Sequence, residues 1–92
     1  MFINFVTVEP RPGREQELAD LMKAFRDPLQ LMPGVVGVYV LREEATGALA
    51  GLSIWRDKTS FEAGMANVAS LPAHAPEDLR KAPPLVRQFV EI

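Results

Sequence analysis

Ninety-two residues with a formal net charge of −2 and a pI near 5.3 fit one small acidic domain, with room for a single modest hydrophobic core. The ten basic residues are scattered along the chain rather than gathered into a stripe, which argues against a nucleic-acid partner. There is no cysteine, which excludes disulfides, thiolate metal sites and a cysteine nucleophile.

The run Phe2-Ile3-Asn4-Phe5-Val6-Thr7-Val8 is rich in β-branched and aromatic residues and predicts a strand. Glu9-Pro10-Arg11-Pro12-Gly13 ends it, because proline cannot donate to a ladder. A helix is predicted from Arg14: Leu18, Leu21, Met22 and Phe25 recur at helical spacing, with Glu15, Glu17, Asp20 and Lys23 on the other face. Pro28 after Asp27 predicts a break or kink, with a short turn running on to Leu31. Pro33-Gly34 signals a turn. Val35 to Leu41 and Leu49 to Trp55 read as the second and third strands. Glu43-Glu44-Ala45-Thr46-Gly47 joins them as an antiparallel hairpin with Gly47 at positive φ. Asp57 or Thr59 caps the next helix, and Thr59-Ser60-Phe61-Glu62 has the form of a capping box. Phe61, Met65 and Val68 make the buried stripe of that helix. Leu71 to Pro76 is a break, Pro76 to Arg80 forms one more helical turn, and Leu85 to Ile92 is the last strand after Pro83-Pro84. The order is β-α-β-β-α-β over a single domain, residues 1–92. This is an α+β, ferredoxin-like sandwich with a four-stranded antiparallel sheet.

Two helices cover one face of such a sheet, so a monomer should alternate cleanly between apolar and polar residues along each strand. This chain does not. Phe2, Val6 and Val8 oppose Ile3 and Phe5; Val36, Val38 and Val40 oppose Val35, Tyr39 and Leu41; Leu85 and Phe89 oppose Val86, Val90 and Ile92. An open apolar face is a large exposed patch, which predicts a homodimer with two sheets packed face to face. No apolar run approaches membrane-spanning length, so no membrane association is expected. Met1 to Val8 is too short for a signal peptide, and a cytoplasmic location is expected.

Pro12-Gly13, Met32-Pro33-Gly34-Val35 and Leu52-Ser53-Ile54-Trp55-Arg56-Asp57 running into Ser60-Phe61-Glu62-Ala63 resemble the antibiotic biosynthesis monooxygenase family. That family is a branch of the dimeric α/β-barrel superfamily, and the resemblance covers nearly the whole chain in order. It implies a small apolar or aromatic ligand, phenolic or quinone-like, bound between the sheet and the helices of each subunit. It also implies that such a substrate can react with dioxygen without a cofactor, metal or flavin. In the haem-degrading branch of the family an Asn on strand one, a Trp in the second helix and a later His act together. Here Asn4 lies on strand one and His74 near the place of that His, while Gly64 stands at about the place of the helix Trp.

Within that frame the candidate catalytic residues are His74 and Asn4. His74 is the only histidine and the only side chain with an unperturbed pKa near neutrality, suited to act as general base on a phenol. Its other reading is an exposed loop residue. Asn4 is an amide in an apolar strand, which costs about 1–3 kcal/mol unless its hydrogen bonds are met by a structural partner or by a ligand oxygen. The candidate substrate-binding residues are Trp55, Ser53, Tyr39, Met22, Phe25, Phe61 and Met65. Trp55 is a core aromatic or the wall of the pocket, Ser53 shares its strand face, and Tyr39 lines either the dimer interface or the pocket. The remaining four belong to helix faces that make both core and pocket. No metal cluster is expected. The leading expectation is a cofactor-independent monooxygenase-like enzyme. A non-catalytic ligand-binding dimer is the alternative, followed by a haem-binding protein.

Overall fold

In the computed structural model, residues 1–67 and 76–92 are described. Strands and helices follow as β1 (Phe2–Val8), α1 (Glu15–Leu29), β2 (Val35–Arg42), β3 (Leu49–Trp55), α2 (Lys58–Asn67) and β4 (Leu85–Val90), with a 3-10 turn at Glu77–Leu79 before β4. The sheet order is β2-β3-β1-β4 and every pairing is antiparallel. The expected α+β, ferredoxin-like βαββαβ sandwich is the fold observed.

Local chemistry explains where each element starts and stops. Gly47 takes a φ of 78° at the end of the β2–β3 loop, and the Glu43 N–H donates to the Ala48 carbonyl at 2.8 Å to close the hairpin. α1 carries Glu15 and Glu17 in its first turn, where the helix dipole favours acids, and Arg14 pairs with Glu17. The break expected at Pro28 does not occur. Pro28 sits in the last turn of α1, where its missing N–H removes one helical bond and interrupts nothing further along. The chain leaves through bonds from the Gln30 N–H to the Arg26 carbonyl (3.0 Å) and from the Leu31 N–H to the Pro28 carbonyl (3.2 Å). At the start of α2 the cap is Asp57, whose Oδ1 accepts from the Ser60 N–H at 2.8 Å. The expected capping box does not form, because Thr59 already lies inside the helix. β4 ends at Val90 rather than Ile92, although the Glu91 N–H still donates to the Met1 carbonyl at 3.0 Å.

A register irregularity in β2 corrects one expectation. Val35 pairs with Trp55 but Gly37 pairs with Ile54, so an extra residue is inserted between them. The insertion turns Val35 toward the helices, where it packs with Val38 against Phe2, Leu29 and Trp55, and leaves Val36 exposed.

The helix-facing side of the sheet carries two apolar clusters. One joins Val8 and Leu49 to Leu18, Ala19 and Met22 of α1 and to Leu79 of the 3-10 turn. That turn is held in place by the Arg11 N–H donating to the Leu79 carbonyl and the Lys81 N–H donating to the Glu9 carbonyl, both at 2.9 Å. The second cluster joins Phe2 and Trp55 to Leu29, with Phe25, Met32, Phe61 and Met65 around them. The opposite, outer face has no helix over it among the described residues. Tyr39, Leu41, Leu85 and Phe89 are exposed there, beside half-buried Ile3, Phe5, Leu52 and Ile54. Among the described residues, no helix is long and apolar enough to cross a membrane.

Candidate functional site

The register of β1 against β3 builds the helix-facing floor as four rows. Phe2 lies opposite Trp55, Asn4 opposite Ser53, Val6 opposite Gly51 and Val8 opposite Leu49. The outer rows hold bulky apolar pairs and anchor the two clusters. The middle rows combine an amide, a hydroxyl and a glycine with one valine, so the helices have less to pack against there. A cavity of about 70 Å³ opens over them, bounded by Asn4, Val6, Gly51 and Ser53 below, Val38 and Val40 at the side, and Met22, Phe25 and Met65 above. One water needs roughly 10–15 Å³ on such a measure, so this space admits several waters or a small ring. The two methionines are flexible walls that can yield to a larger occupant.

Asn4 and Ser53 are the polar pair of this cavity. Gln88 of β4, directly opposite Asn4 on the other side of β1, donates from its Nε2 to Asn4 Oδ1 at 3.2 Å. That bond leaves the Asn4 amide NH₂ as a donor, with no partner among the described residues. Ser53 is 5% exposed and its hydroxyl likewise makes no hydrogen bond among the described residues. Arg26 also borders the cavity, and its Nε pairs with Asp27 at 3.1 Å. No carboxylate or imidazole lines the cavity among the described residues, and no three His, Cys, Asp or Glu side chains converge there to hold a metal ion.

The structure thus brings together Asn4, Ser53, Met22, Phe25 and Met65, with Tyr39 at the border of the cavity. It places the other expected residues elsewhere. Trp55 is completely buried in the core beside the cavity, with Nε1 buried and making no hydrogen bond among the described residues. Phe61 stands edge-on to it, with centroids 5.7 Å apart and planes at 83°, and also packs on Phe2 at 4.9 Å. Neither ring lines the cavity. Tyr39 borders the cavity, while its ring lies half exposed on the outer face over Gly37. His74 and Val68 lie outside the described residues.

Gly64 has a clear structural reason. A Cβ at this position would lie 2.4 Å from Trp55 Cη2 and 2.7 Å from Cζ3, so the glycine lets α2 seat on the indole. The sequence reading missed Gln88 and Gly51. Gln88 is invisible without the β1–β4 register, whereas a glycine inside a strand was visible but was given no meaning. A second, much broader concavity of about 950 Å³ lies at the hairpin end of the sheet and opens across the outer face, over Phe5, Thr7, Leu41, Leu85 and Arg87.

Residues 1–75 match the family model described as antibiotic biosynthesis monooxygenase. The chain belongs to that family. No curated protein matches the sequence. Solved structures match the fold at low identity. Rv0793 from Mycobacterium tuberculosis superposes with a TM-score of 0.82 at 16% identity, over 99% of this chain and 94% of that one. Protein SO0527 from Shewanella oneidensis gives 0.81 at 9% identity, over 96% and 87%. PA3566 from Pseudomonas aeruginosa gives 0.79 at 16% identity, over 99% and 93%. At these identities the likeness speaks for the fold alone. In this monooxygenase family member, therefore, the ligand and the chemistry have to be argued from the cavity.

Proposed function

We propose that this chain is a cofactor-independent monooxygenase-like enzyme acting on a small phenolic or quinone-like molecule. The observation that carries the reading is the Asn4–Ser53 pair: two neighbouring polar groups with free hydrogen-bonding capacity in an otherwise apolar cavity between sheet and helices. Family membership supports the reaction class proposed.

A flat, electron-rich ring suits the apolar walls. Its oxygen accepts from the Asn4 NH₂ and the Ser53 hydroxyl, which fixes its position and favours the phenolate over the phenol. His74, the one imidazole of the chain, is the proposed base that removes the phenolic proton. The phenolate then passes one electron to dioxygen. The resulting radical and superoxide combine in a carbon–oxygen bond, and loss of water leaves a quinone. One C–H and one O–H of the ring are consumed, one oxygen atom enters the product, and the other leaves as water.

Assembly as a homodimer through the outer sheet faces follows from the exposed Tyr39, Leu41, Leu85 and Phe89, since a contiguous apolar face of this kind is rarely left open in a soluble protein. A cytoplasmic location is proposed with it, and the lack of cysteine is compatible with that. A non-catalytic ligand-binding dimer is favoured by one observation, the lack of a carboxylate or imidazole around the cavity among the described residues. Haem binding is disfavoured by Gly64, where Trp55 occupies the space beneath the helix.

Oxygen consumption and quinone formation with a panel of mono- and dihydric phenols test the proposal. Asn4→Ala and His74→Ala should each lower turnover. Full turnover in both variants would remove the assigned roles. Saturable binding with no product under oxygen would establish the binding dimer instead.

A further inference from the structure

Gly51 lies in the middle of β3, paired with Val6 on one side and Val40 on the other, with no register shift at either pairing. Glycine inside a strand weakens it, and usually marks a bulge, a sharp bend or a close approach by a ligand or another backbone. The other five glycines each have a structural reason. Gly13, Gly34 and Gly47 adopt left-handed backbone, while Gly37 and Gly64 sit against the rings of Tyr39 and Trp55. Gly51 has none of these. Its φ is not in the left-handed region, and among the described residues a Cβ built on it would meet only Met22 Cε, at 3.8 Å, an ordinary contact. Among the described residues no backbone crosses it. The fold would accept alanine here, yet the position is bare.

We infer that Gly51 is the floor of the ligand site and sets its depth. The ring of the ligand lies on the bare backbone of Gly51, and the flexible Met22 side chain, whose Cε stands 3.8 Å from where a Cβ would be, swings aside to admit it. The cavity holds about 70 Å³. A methyl group is comparable in bulk to a water, which takes roughly 10–15 Å³ on this measure, so one added methyl narrows the slot directly above the strand. The ligand class this selects is a planar ring that slides between strand and helix, its oxygen reaching Asn4 and Ser53 one row further along the sheet. A branched or saturated ring is too thick. The inference rests on the phenolic-ligand reading and adds to it the residue that sets ligand size.

The test uses the full chain, with Gly51→Ala and Gly51→Val titrated with 1-naphthol and with phenol by calorimetry, and with thermal unfolding measured alongside. The wild type should bind both probes. Gly51→Ala should weaken 1-naphthol by about tenfold or more, a change calorimetry resolves easily. It should weaken phenol less, and Gly51→Val should abolish 1-naphthol binding. Gly51→Ala should unfold at the wild-type temperature or above it. A clear fall in its unfolding temperature would mean that the glycine is structurally required, and would overturn the inference without any ligand. Unchanged 1-naphthol affinity in Gly51→Ala would overturn the role of Gly51 alone. If the wild type binds neither probe, the phenolic reading fails and the floor role falls with it.

Discussion

Replacing Gly64 by alanine sets two effects of known sign against each other, and the geometry decides between them. Alanine is the better helix former by about 0.8–1 kcal/mol in a helix interior, and Gly64 lies inside α2. The new Cβ, however, would sit 2.4 Å from Trp55 Cη2 and 2.7 Å from Cζ3, where carbon pairs prefer ~3.5–4.0 Å. The indole cannot yield cheaply. It is completely buried and held by Phe2, Leu29 and Phe61. Relief requires α2 to lift by roughly an ångström or the ring to leave its rotamer, and overpacking of this kind costs about 1–3 kcal/mol, with a rigid ring at the upper end. The net expectation is a loss of about 1–2 kcal/mol, or roughly 4–16 °C in unfolding temperature for a domain of this size. Urea unfolding followed by the fluorescence of Trp55, the only tryptophan, reads the same contact that is strained. Protein concentration must be held fixed, because dimerisation would couple to stability. Ala63→Gly on the exposed side of the same helix reports the propensity contribution by itself. A Gly64→Ala protein as stable as the wild type, or more so, would refute the packing argument.

Asp57 titrates below its ordinary value of 3.8, chiefly because it accepts from the Ser60 backbone N–H and also from the Ser60 hydroxyl, with Arg56 beside it. A carboxyl lowered on folding adds stability that is present above the unfolded pKa and lost as pH falls through the folded one. The unfolding temperature of the wild type should therefore drop below pH 3.8 relative to Asp57→Asn, which keeps a cap but does not titrate; parallel curves would remove the linkage. Phe89→Glu places a charge on the outer face opposite Ile3, and light scattering should then report a mass near 10.2 kDa where the wild type gives twice that. A wild-type monomer would refute the sheet-to-sheet dimer. Asn4→Val and Ser53→Ala remove polar groups that no helix satisfies, so each should leave stability within about 1 kcal/mol of the wild type or raise it. Both should reduce phenol binding in a titration, and unaltered binding in both would remove the polar pair from the site.

Most of the fold was legible because its signals are local. β1 and β3 end where the residue pattern ends, and the Glu43–Gly47 hairpin needs only its glycine. The mistakes came from choices that depend on tertiary context. Thr59-Ser60-Phe61-Glu62 is a sound capping box by pattern, but Asp57 reaches the Ser60 N–H first and moves the helix start back by two residues. Pro28 stops a helix in an isolated sequence, yet the buried side chain of Leu29 holds the last turn on the sheet. The inserted residue in β2 is silent in the sequence, and it alone brings Val35 to the core. In the site, the polar character of Asn4 was readable, but its hydrogen bond to Gln88 is a pairing across 84 residues. Trp55 is informative about fold rather than ligand: as the only tryptophan it drew a functional reading, and its environment is that of a core anchor.

The position of the cavity follows from how apolar volume is shared along one pair of strands. Where β1 and β3 present Phe2 with Trp55 and Val8 with Leu49, α1 and α2 close down and bury the rows completely. Between those rows the chain places Asn4, Ser53 and Gly51, three residues that a packed strand would not select. Among the described residues the Asn4 NH₂ and the Ser53 hydroxyl have no partner, and the glycine has no close contact that would forbid a side chain. Each departure is small by itself, of order 1 kcal/mol. They fall in two adjacent rows, on one face, under the same two methionines. Random drift in packing quality would scatter such losses across the sheet, whereas a ligand site concentrates them where a ring and its oxygen must fit. The tightly packed rows on either side then have a second role. By fixing the separation of helices and sheet at both ends, they leave the adjustment in the middle to the flexible methionine side chains, so a ligand enters by moving a side chain rather than a helix.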